Sequence, residues 1–342
     1  MILITGNLGY IGQRMTRFFQ KQGHEVSGID SQLYRGCDFS NGAPPLTKQL
    51  IKDVRDVTAA DLKGAQTVIH LAALSTDYLG EMNPALTYDI NETASVKLAE
   101  LSREAGVERY IFSSSCSLYG VADNARPIDE AGKLNPLTAY AKAKANAEEQ
   151  IVRLANDDFH PVLMRNATVY GVSPAIRLDL VVNVMVACAM LKNEVTIFGD
   201  GEHWRPLVHV EDLCRAFQAV HEAPVEAIHN QAFNVGVPDE NYQVKDIALR
   251  VKEALPEQDV AMMFTPGEGG RTYRVDCSKL GAVIPSYQPQ WNLDSGIQEL
   301  IAAYREKGLS LQGFESDKFF RIKRIKSLMQ EQVLNEDLRF SS

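Results

Sequence analysis

Three glycines near the start of this 342-residue chain limit its fold more than any other feature. Gly6, Gly9 and Gly12 follow an apolar run at residues 2–4 and open a helical pattern over residues 12–21. That order predicts a strand, a tight turn and a helix, with the helix N-terminus facing the turn. Because backbone amides there favour an anion and glycine permits close approach, we predict that the turn binds the pyrophosphate of a dinucleotide.

Apolar runs of strand length alternate with helical patterns along most of the chain. Strands are predicted at residues 1–5, 25–30, 67–71, 109–113, 161–164 and 232–235, and helices at 12–21, 83–105 and 137–155. This alternation is typical of βαβ units. The predicted fold class is α/β, a Rossmann-type doubly wound parallel sheet with a smaller, mixed α/β C-terminal substrate lobe.

The pattern also predicts where the parts of the chain begin and end. Residues 1–171 form the NAD-binding domain, to which 204–236 returns, and residues 172–203 and 237–310 form the substrate lobe. Residues 311–342 form an amphipathic helical tail in which apolar and basic residues alternate at helical spacing. A basic amphipathic helix can contact a membrane or a partner, but we expect this one to dock on its own chain or on a sister subunit.

Composition excludes several classes of function. The chain carries 35 basic and 44 acidic residues, a net charge of −9, so nothing attracts it generally to nucleic acids or anionic membranes. Its five cysteines are scattered without the short spacings of a disulfide framework or a zinc site. With no basic leader and no long uninterrupted apolar stretch, we expect a soluble cytoplasmic protein without a metal.

An acidic residue predicts which dinucleotide binds. Asp30 ends the second predicted strand 18 residues after Gly12, where a carboxylate hydrogen-bonds the adenosine ribose, so NAD is favoured over NADP. Arg35 argues against this preference for NAD, since a loop arginine can reach the 2′-phosphate of NADP. Further cofactor contacts are predicted at Tyr10, Ile11, Asp53, Val54, Leu71, Ala72 and Ala73. For Asp53 a helix cap, and for the alanines simple packing, are alternative interpretations.

Tyr140 and Lys144 are the candidate catalytic pair. On a helix, residues four apart share a face, so the Lys144 ammonium can favour the phenolate of Tyr140, whose free pKa is about 10. Residues 113–117 place several hydroxyls after a buried strand, at the sheet edge where open α/β folds bind ligands. Tyr140 is therefore predicted to exchange a proton with a substrate hydroxyl that a serine holds, although a serine-rich turn can also be loop chemistry alone.

Glycine turn, strand-end acid, serine cluster and Tyr140/Lys144 together resemble the extended short-chain dehydrogenase/reductase family, in particular its nucleotide-sugar epimerases and dehydratases. The resemblance covers roughly residues 1 to 305 and implies a nucleotide-diphosphate sugar as substrate. It makes Ser115 the residue that orients the substrate hydroxyl, Tyr140 the acid/base and Lys144 the ligand of the nicotinamide ribose. Asn91 matches the family's supporting asparagine and is assigned to the cofactor site.

The later half of the chain also resembles this family. The resemblance assigns Arg205, Asn183 and Arg271 to the nucleotide diphosphate, and a forked arginine suits that group because it can donate two parallel hydrogen bonds. We prefer ligand binding to a surface ion pair for Arg205 and leave the two open for Arg271. Ser75, Ser117 and Thr168 complete the expected substrate-binding set, with Thr168 standing where related epimerases have asparagine.

Departures from the family pattern narrow the reaction. Family dehydratases place an acidic pair after the catalytic hydroxyl, whereas this chain has Cys116 and Ser117, which argues against dehydration. We read Cys116 as a packing residue, with a role as second base the minority hypothesis. The leading hypothesis is an NAD-dependent nucleotide-sugar epimerase that transiently oxidises a hydroxyl at C4. The rivals are a net dehydrogenase or 4-keto reductase and a non-catalytic dinucleotide-binding sensor.

The predicted helices around 83–105 and 137–155 correspond to those through which members of the resembled family often dimerise. We expect them either to form the interface of a homodimer or to pack against the chain's own sheet.

Overall fold

A seven-stranded parallel sheet forms the centre of the computed structural model, which describes residues 1–39, 46, 48–75, 80–81, 83–122, 126–267 and 271–341. Its strands lie in the order β3-β2-β1-β4-β5-β6-β10. In chain order they are β1 (Ile2–Thr5), β2 (Val26–Asp30), β3 (Lys48–Ile51), β4 (Thr67–His70), β5 (Arg109–Ser115), β6 (His160–Asn166) and β10 (Gln231–Val235). The order reverses between β1 and β4, and ligands bind at such a switch point in doubly wound sheets. The predicted fold class is confirmed.

Helices cover both faces of this sheet and fill the lobe beside it. The longer ones are Tyr10–Lys21, Ala94–Glu104, Ala139–Ile151, Val181–Lys192, Val210–Glu222, Val244–Glu253, Leu293–Glu306 and Arg321–Gln330. The shorter ones are Pro84–Tyr88, Val225–Ile228, Ser278–Val283 and Leu311–Glu315. The helix Tyr10–Lys21 shows why they form, because its turns bury Met15 and Phe19 against the apolar β1 residues Ile2 and Ile4.

The remaining strands form two small sheets in the C-terminal half. Strand β9 (Trp204–His209) pairs with β7 (Thr168–Tyr170) and β11 (Asn241–Gln243), and β8 (Glu194–Phe198) pairs with β12 (Ala261–Thr265). Of the segment 204–236 that we expected to return to the NAD-binding domain, β10 joins the central sheet as an edge strand and β9 does not. Strand β9 instead lies in a small sheet, where it pairs with β7, the strand that follows β6 in the chain.

The segment predicted as one helix over 83–105 is divided. A five-residue π-helical turn, Asp89–Thr93, separates Pro84–Tyr88 from Ala94–Glu104. Within this turn Asn91 is fully buried, and its amide accepts a hydrogen bond from the Leu74 amide (2.8 Å) and donates to the Leu74 carbonyl (2.9 Å). The widened turn therefore ties the helix to the loop after β4, where a sequence pattern shows only a continuous helix.

The C-terminal tail packs on its own chain. Ile325 and Leu328 of the helix Arg321–Gln330, with Leu334 and Leu338 beyond it, enter the core formed by β1, β4 and the helix Ala94–Glu104. The apolar face of the helix Arg321–Gln330 is thus covered by the chain's own core. In the described part of the chain, no helix is both long enough and apolar enough to cross a membrane, and all five cysteines are free thiols.

Candidate active site

A single cavity at the switch point brings together most of the residues that the sequence singled out. It opens at the carboxyl ends of the central strands, between β1 and β4. The predicted site residues that line it are Gly6, Gly9, Tyr10, Ile11, Gly12, Asp30, Asp53, Val54, Leu71, Ala72, Ala73, Ser75, Ser115, Tyr140, Lys144, Thr168 and Arg271. Cofactor and catalytic candidates from five strand ends therefore face one another.

The glycine turn is held by contacts that only glycine allows. Gly6 has a φ of +73°, and a Cβ there would lie 2.8 Å from the Ala72 amide nitrogen. A Cβ on Gly12 would lie 2.1 Å from the Gly6 carbonyl oxygen. Gly9, in contrast, is the N-terminal cap of the helix Tyr10–Lys21 and lines the cavity. The turn thus presents a helix N-terminus to the cavity at the place where a pyrophosphate is expected.

Asp30 is fixed as a hydrogen-bond acceptor at the end of β2. Its Oδ2 accepts from the Leu8 amide at 3.0 Å and its Oδ1 from the Gln32 amide at 2.7 Å. Burial raises the pKa of Asp30, and the two amides oppose that rise. A carboxylate so oriented against the glycine turn suits the ribose hydroxyls of a dinucleotide. The glycine cradle and this carboxylate together fit the adenosine half of NAD.

Asp53 caps a short turn and also lines the cavity. It caps the short 3₁₀ turn Val54–Asp56 by accepting from the Arg55 amide at 2.9 Å, and it lines the cavity. Burial works against its ionisation, but hydrogen bonds from Arg55 outweigh burial and lower the pKa of Asp53. Asn91 lies behind the cavity wall, with its amide occupied by Leu74, so it supports the lining loop instead of facing the cofactor.

The catalytic candidates converge from two elements. Tyr140 and Lys144 occupy successive turns of the helix Ala139–Ile151, which Thr138 caps, and Ser115 ends β5. The Ser115 hydroxyl accepts from the Ser117 amide at 3.1 Å, which leaves its O–H to donate into the cavity. All three line the same cavity. This arrangement can hold a substrate hydroxyl between a serine and a tyrosine.

Lys144 is buried in surroundings that penalise its charge. Its Nζ donates to the Ser113 carbonyl at 2.8 Å and lies 4.4 Å from the centre of the Phe112 ring. Burial lowers the pKa of Lys144 to about 7, against the raising influence of Glu148 one turn further along. Glu148 itself is paired with Arg165 of β6 at 2.7 Å. This buried pair anchors the catalytic helix to the sheet.

We expect Lys144→Met to be more stable than the wild type at pH 6, with a thermal midpoint higher by about 3 °C or more. Below pH 7 Lys144 is protonated in both the folded and the unfolded protein, so the folded wild type bears the whole desolvation penalty of the buried ammonium. Between about pH 7 and pH 10 the folded state releases that proton while the unfolded state keeps it, so the stability of the wild type rises with pH. The advantage of Lys144→Met should shrink over the same window, which thermal unfolding at pH 6, 8 and 10 measures. An advantage independent of pH would contradict this assignment.

Two predicted substrate residues, Ser117 and Asn183, do not reach the cavity. Ser117 is 1% exposed and its Oγ lies in the interior, because the 3₁₀ turn Cys116–Tyr119 directs it inward. Asn183 is fully buried and braces the loop after β7, accepting from the Gly171 amide and donating to the Arg177 carbonyl, both at 3.0 Å. Both side chains are therefore enclosed in the interior and do not line the cavity.

The positions of the two arginines are the reverse of the predicted preference for Arg205 as the ligand-binding residue. Arg271 lines the cavity, whereas Arg205 of β9 does not. Arg205 donates from Nη1 to the Trp204 carbonyl at 2.8 Å and to the Arg271 carbonyl. It therefore holds the backbone that carries Arg271. Nothing in the sequence spacing distinguishes an arginine that binds a ligand from one that positions its neighbour.

Sequence reasoning missed several residues of the cavity wall. Asn166 donates from Nδ2 to the Ser113 hydroxyl at 2.9 Å, and Arg177 donates to the Ser75 hydroxyl at 3.0 Å while pairing with Asp179. Tyr34 and Arg321 also line the cavity. Asn166 could have been identified from the sequence, because it lies at a strand end, two residues before Thr168. Arg321 had no such signal, since 146 positions separate it from Ala175, whose carbonyl it contacts, and still more separate it from Asp30 and Tyr34.

Comparison with known proteins agrees with this geometry. The model of the NAD dependent epimerase/dehydratase family matches residues 2–236. The chain belongs to this family. It is therefore an enzyme of the extended short-chain dehydrogenase/reductase type whose cofactor is NAD, which confirms both the resemblance read from the sequence and the predicted dinucleotide.

Individual members of the family align over nearly their whole length. A UDP-glucose 4-epimerase of Mycolicibacterium smegmatis is 29% identical over 89% of this chain and 98% of its own. The structure of MoeE5 in complex with UDP-glucuronic acid and NAD is 25% identical, with a TM-score of 0.78 over 89% of this chain and 99% of that one. A UDP-glucose 4-epimerase of Thermotoga maritima with UDP-glucose is 26% identical, with a TM-score of 0.76 over 89% and 98%. These family members share the Rossmann-type fold described above.

Proposed function

We propose that this family member is a UDP-sugar 4-epimerase that oxidises the C4 hydroxyl transiently and returns the hydrogen to the opposite face. The observation that carries the proposal is the meeting of Ser115, Tyr140 and Lys144 at one cavity that the glycine turn also lines. UDP is favoured as the nucleotide because the relatives described above act on or bind UDP-sugars. Arg271, on the cavity wall, is proposed to donate to the diphosphate.

The residues of the chain divide the proton chemistry between them. When bound, NAD supplies the group that accepts the C4 hydrogen with its electron pair and later gives it back. Tyr140 accepts the hydroxyl proton as the ketone forms and donates it when the alcohol is restored. Ser115 donates to the sugar oxygen and keeps it within reach of Tyr140. Lys144 binds the nicotinamide ribose, and inversion requires that the keto-sugar turns its other face to the same residues.

The surroundings of Cys116 support epimerisation over dehydration. Cys116 is 1% exposed, its Sγ contacts the Arg165 carbonyl at 3.1 Å, and burial raises the pKa of the thiol well above its ordinary value. A thiol in that state is neither an efficient base nor a nucleophile near neutrality. Cys116 and Ser117 thus offer no acid and base for eliminating water. Packing is the role we propose for Cys116.

The proposal predicts that purified enzyme converts UDP-glucose to UDP-galactose with no net change in absorbance at 340 nm. The redox steps cancel within one turnover, so no NADH accumulates. Chromatography of the nucleotide sugars and the absorbance trace, recorded on one sample, test this together. A stoichiometric rise in NADH would instead identify a dehydrogenase, and NADH consumption with a 4-keto sugar a reductase. Undetectable turnover of a panel of UDP-, dTDP-, GDP- and CDP-sugars with NAD bound would identify a sensor.

Assembly and location are also part of the proposal. We infer a homodimer formed through the helical surface at residues 84–104 and the helix Ala139–Ile151, acting in the cytoplasm. The domain division stays a prediction, with the substrate lobe at residues 172–203 and 237–310. Sedimentation of the purified chain tests the dimer independently of its activity.

A further inference from the structure

The C-terminal tail reaches the cofactor end of the cavity. Arg321 is the first residue of the helix Arg321–Gln330, is 2% exposed and lines the cavity together with Asp30 and Tyr34. The sequence resemblance to the family stops near residue 305, before this helix. The tail therefore adds a cation to a site that the rest of the chain already forms.

The tail is fixed over this end of the site at several points. The amide of Leu178 donates to the carbonyl of Phe319, two residues before Arg321, at 2.9 Å. Further along, Arg55 donates to the Asp337 carbonyl at 2.8 Å, and Arg339 pairs with Asp53 at 3.4 Å. Asp53 itself lines the cavity. Arg321 is thus held in place by backbone, apolar and ionic contacts on both sides of it.

The guanidinium of Arg321 has hydrogen-bonding capacity that the described protein atoms do not use. Its carbon lies 4.2 Å from the centre of the Tyr34 ring, and Nη2 donates to the Ala175 carbonyl at 3.0 Å. Nη1 is buried without a hydrogen-bond partner in the described part of the chain. A buried donor on a charged group that lacks a hydrogen-bond partner lowers the stability of the folded protein. An anionic ligand in the cavity would accept that hydrogen bond and remove the penalty.

Arg177 provides the contrast within the same wall. Its Nε and Nη2 donate to Asp179 at 2.9 and 3.1 Å, and its Nη1 donates to Ser75. All three of its nitrogens are engaged and its charge is neutralised by one carboxylate. Arg321 has no such ion pair within 4 Å among the described residues, and burial together with the neighbouring Arg177 lowers its pKa. Arg321 thus lacks the direct carboxylate pairing that Arg177 has, while Asp30 and Asp179 act on its charge from further away.

We propose that Arg321 is a phosphate-binding residue of the NAD site, so that the C-terminal tail completes the site. A planar guanidinium with one nitrogen held by backbone and one directed to a ligand suits a phosphate oxygen. The phosphate is either the pyrophosphate of the dinucleotide or a 2′-phosphate on its adenosine ribose. The nearby Asp30 carboxylate repels a 2′-phosphate. The role of Arg321 concerns cofactor binding alone and does not depend on the epimerase reaction.

Binding of NAD, NADP and adenosine to the nucleotide-stripped full chain tests the proposal by calorimetry. Arg321→Gln should weaken NAD binding by about 10- to 100-fold, the effect of losing one charge-assisted hydrogen bond, and leave adenosine binding unchanged. A further loss confined to NADP would identify the 2′-phosphate as the partner. Lys326→Gln removes an exposed charge from the same helix and should bind all three ligands as the wild type does.

Two results would overturn the proposal. One is NAD and NADP binding by Arg321→Gln within twofold of the wild type. The other is an equal loss for adenosine, which would mean that the variant displaces the tail without removing a phosphate contact. If Arg321→Gln does not fold, hydrogen exchange of the wild type decides: NAD, but not adenosine, should slow amide exchange across residues 319–330. Unchanged exchange there would count against a phosphate contact from the tail.

Discussion

Tyr140→Phe should lower kcat for UDP-sugar turnover by about 10²- to 10⁴-fold, the usual contribution of a positioned acid/base. The change removes one oxygen from the cavity wall and leaves the ring, the helix and the Lys144 contact with Ser113 in place. Because the lost group acts on the proton that moves in the reaction, kcat should fall while the affinity for NAD stays near that of the wild type. Steady-state kinetics and calorimetry on the same preparation separate the two.

A second tyrosine supplies the matched control. Tyr242 lies on β11, donates its hydroxyl to Glu240 at 3.0 Å and does not line the cavity. Tyr242→Phe removes the same atom from the same residue type, so its kcat should remain within about twofold of the wild type. Full activity of Tyr140→Phe would remove this tyrosine from the mechanism. An equal loss in both variants would show that the effect is structural.

The sequence could predict those parts of the site that depend on local periodicity. A strand followed by a glycine turn and a helix, and a tyrosine one helical turn before a lysine, are short-range patterns whose geometry is set by a few consecutive residues. The carboxyl ends of parallel strands must meet at one edge, so the order of the motifs also placed Asp30 and Ser115 on the same cavity. These predictions needed no knowledge of long-range packing.

What sequence could not predict depends on side-chain direction and on contacts between distant segments. Ser117 and Ser115 are two residues apart, yet a 3₁₀ turn directs one inward and leaves the other on the cavity. Arg205 and Arg271 have the same chemistry, but Arg271 lines the cavity whereas the Arg205 side chain donates to the Arg271 carbonyl from another segment of the chain. Arg321 reaches the site because apolar tail residues pack against a core formed earlier in the chain.

Gly12→Ala should lower the free energy of unfolding by about 2 to 3 kcal/mol, the upper range for overpacking a filled interior. The added Cβ would lie 2.1 Å from the Gly6 carbonyl oxygen and 2.6 Å from the Asn7 Cα. Both contacts are backbone, which cannot rotate away as a side chain can. The first helix must therefore shift away from the glycine turn, and NAD binding should weaken with it. Urea unfolding with and without NAD measures both effects.

Gly9→Ala should separate cofactor binding from stability. A Cβ on Gly9 would meet only the Gly6 carbonyl oxygen, at 3.2 Å, and would occupy the cavity wall at the helix N-terminus. We expect a stability change under about 1 kcal/mol, since one neighbour must move slightly, but NAD binding weaker by about tenfold or more because the methyl group occupies the approach to the helix amides. Gly281→Ala, whose Cβ meets no atom within 4 Å, should change neither binding nor fold. If Gly9→Ala bound NAD normally, the pyrophosphate could not lie against this turn.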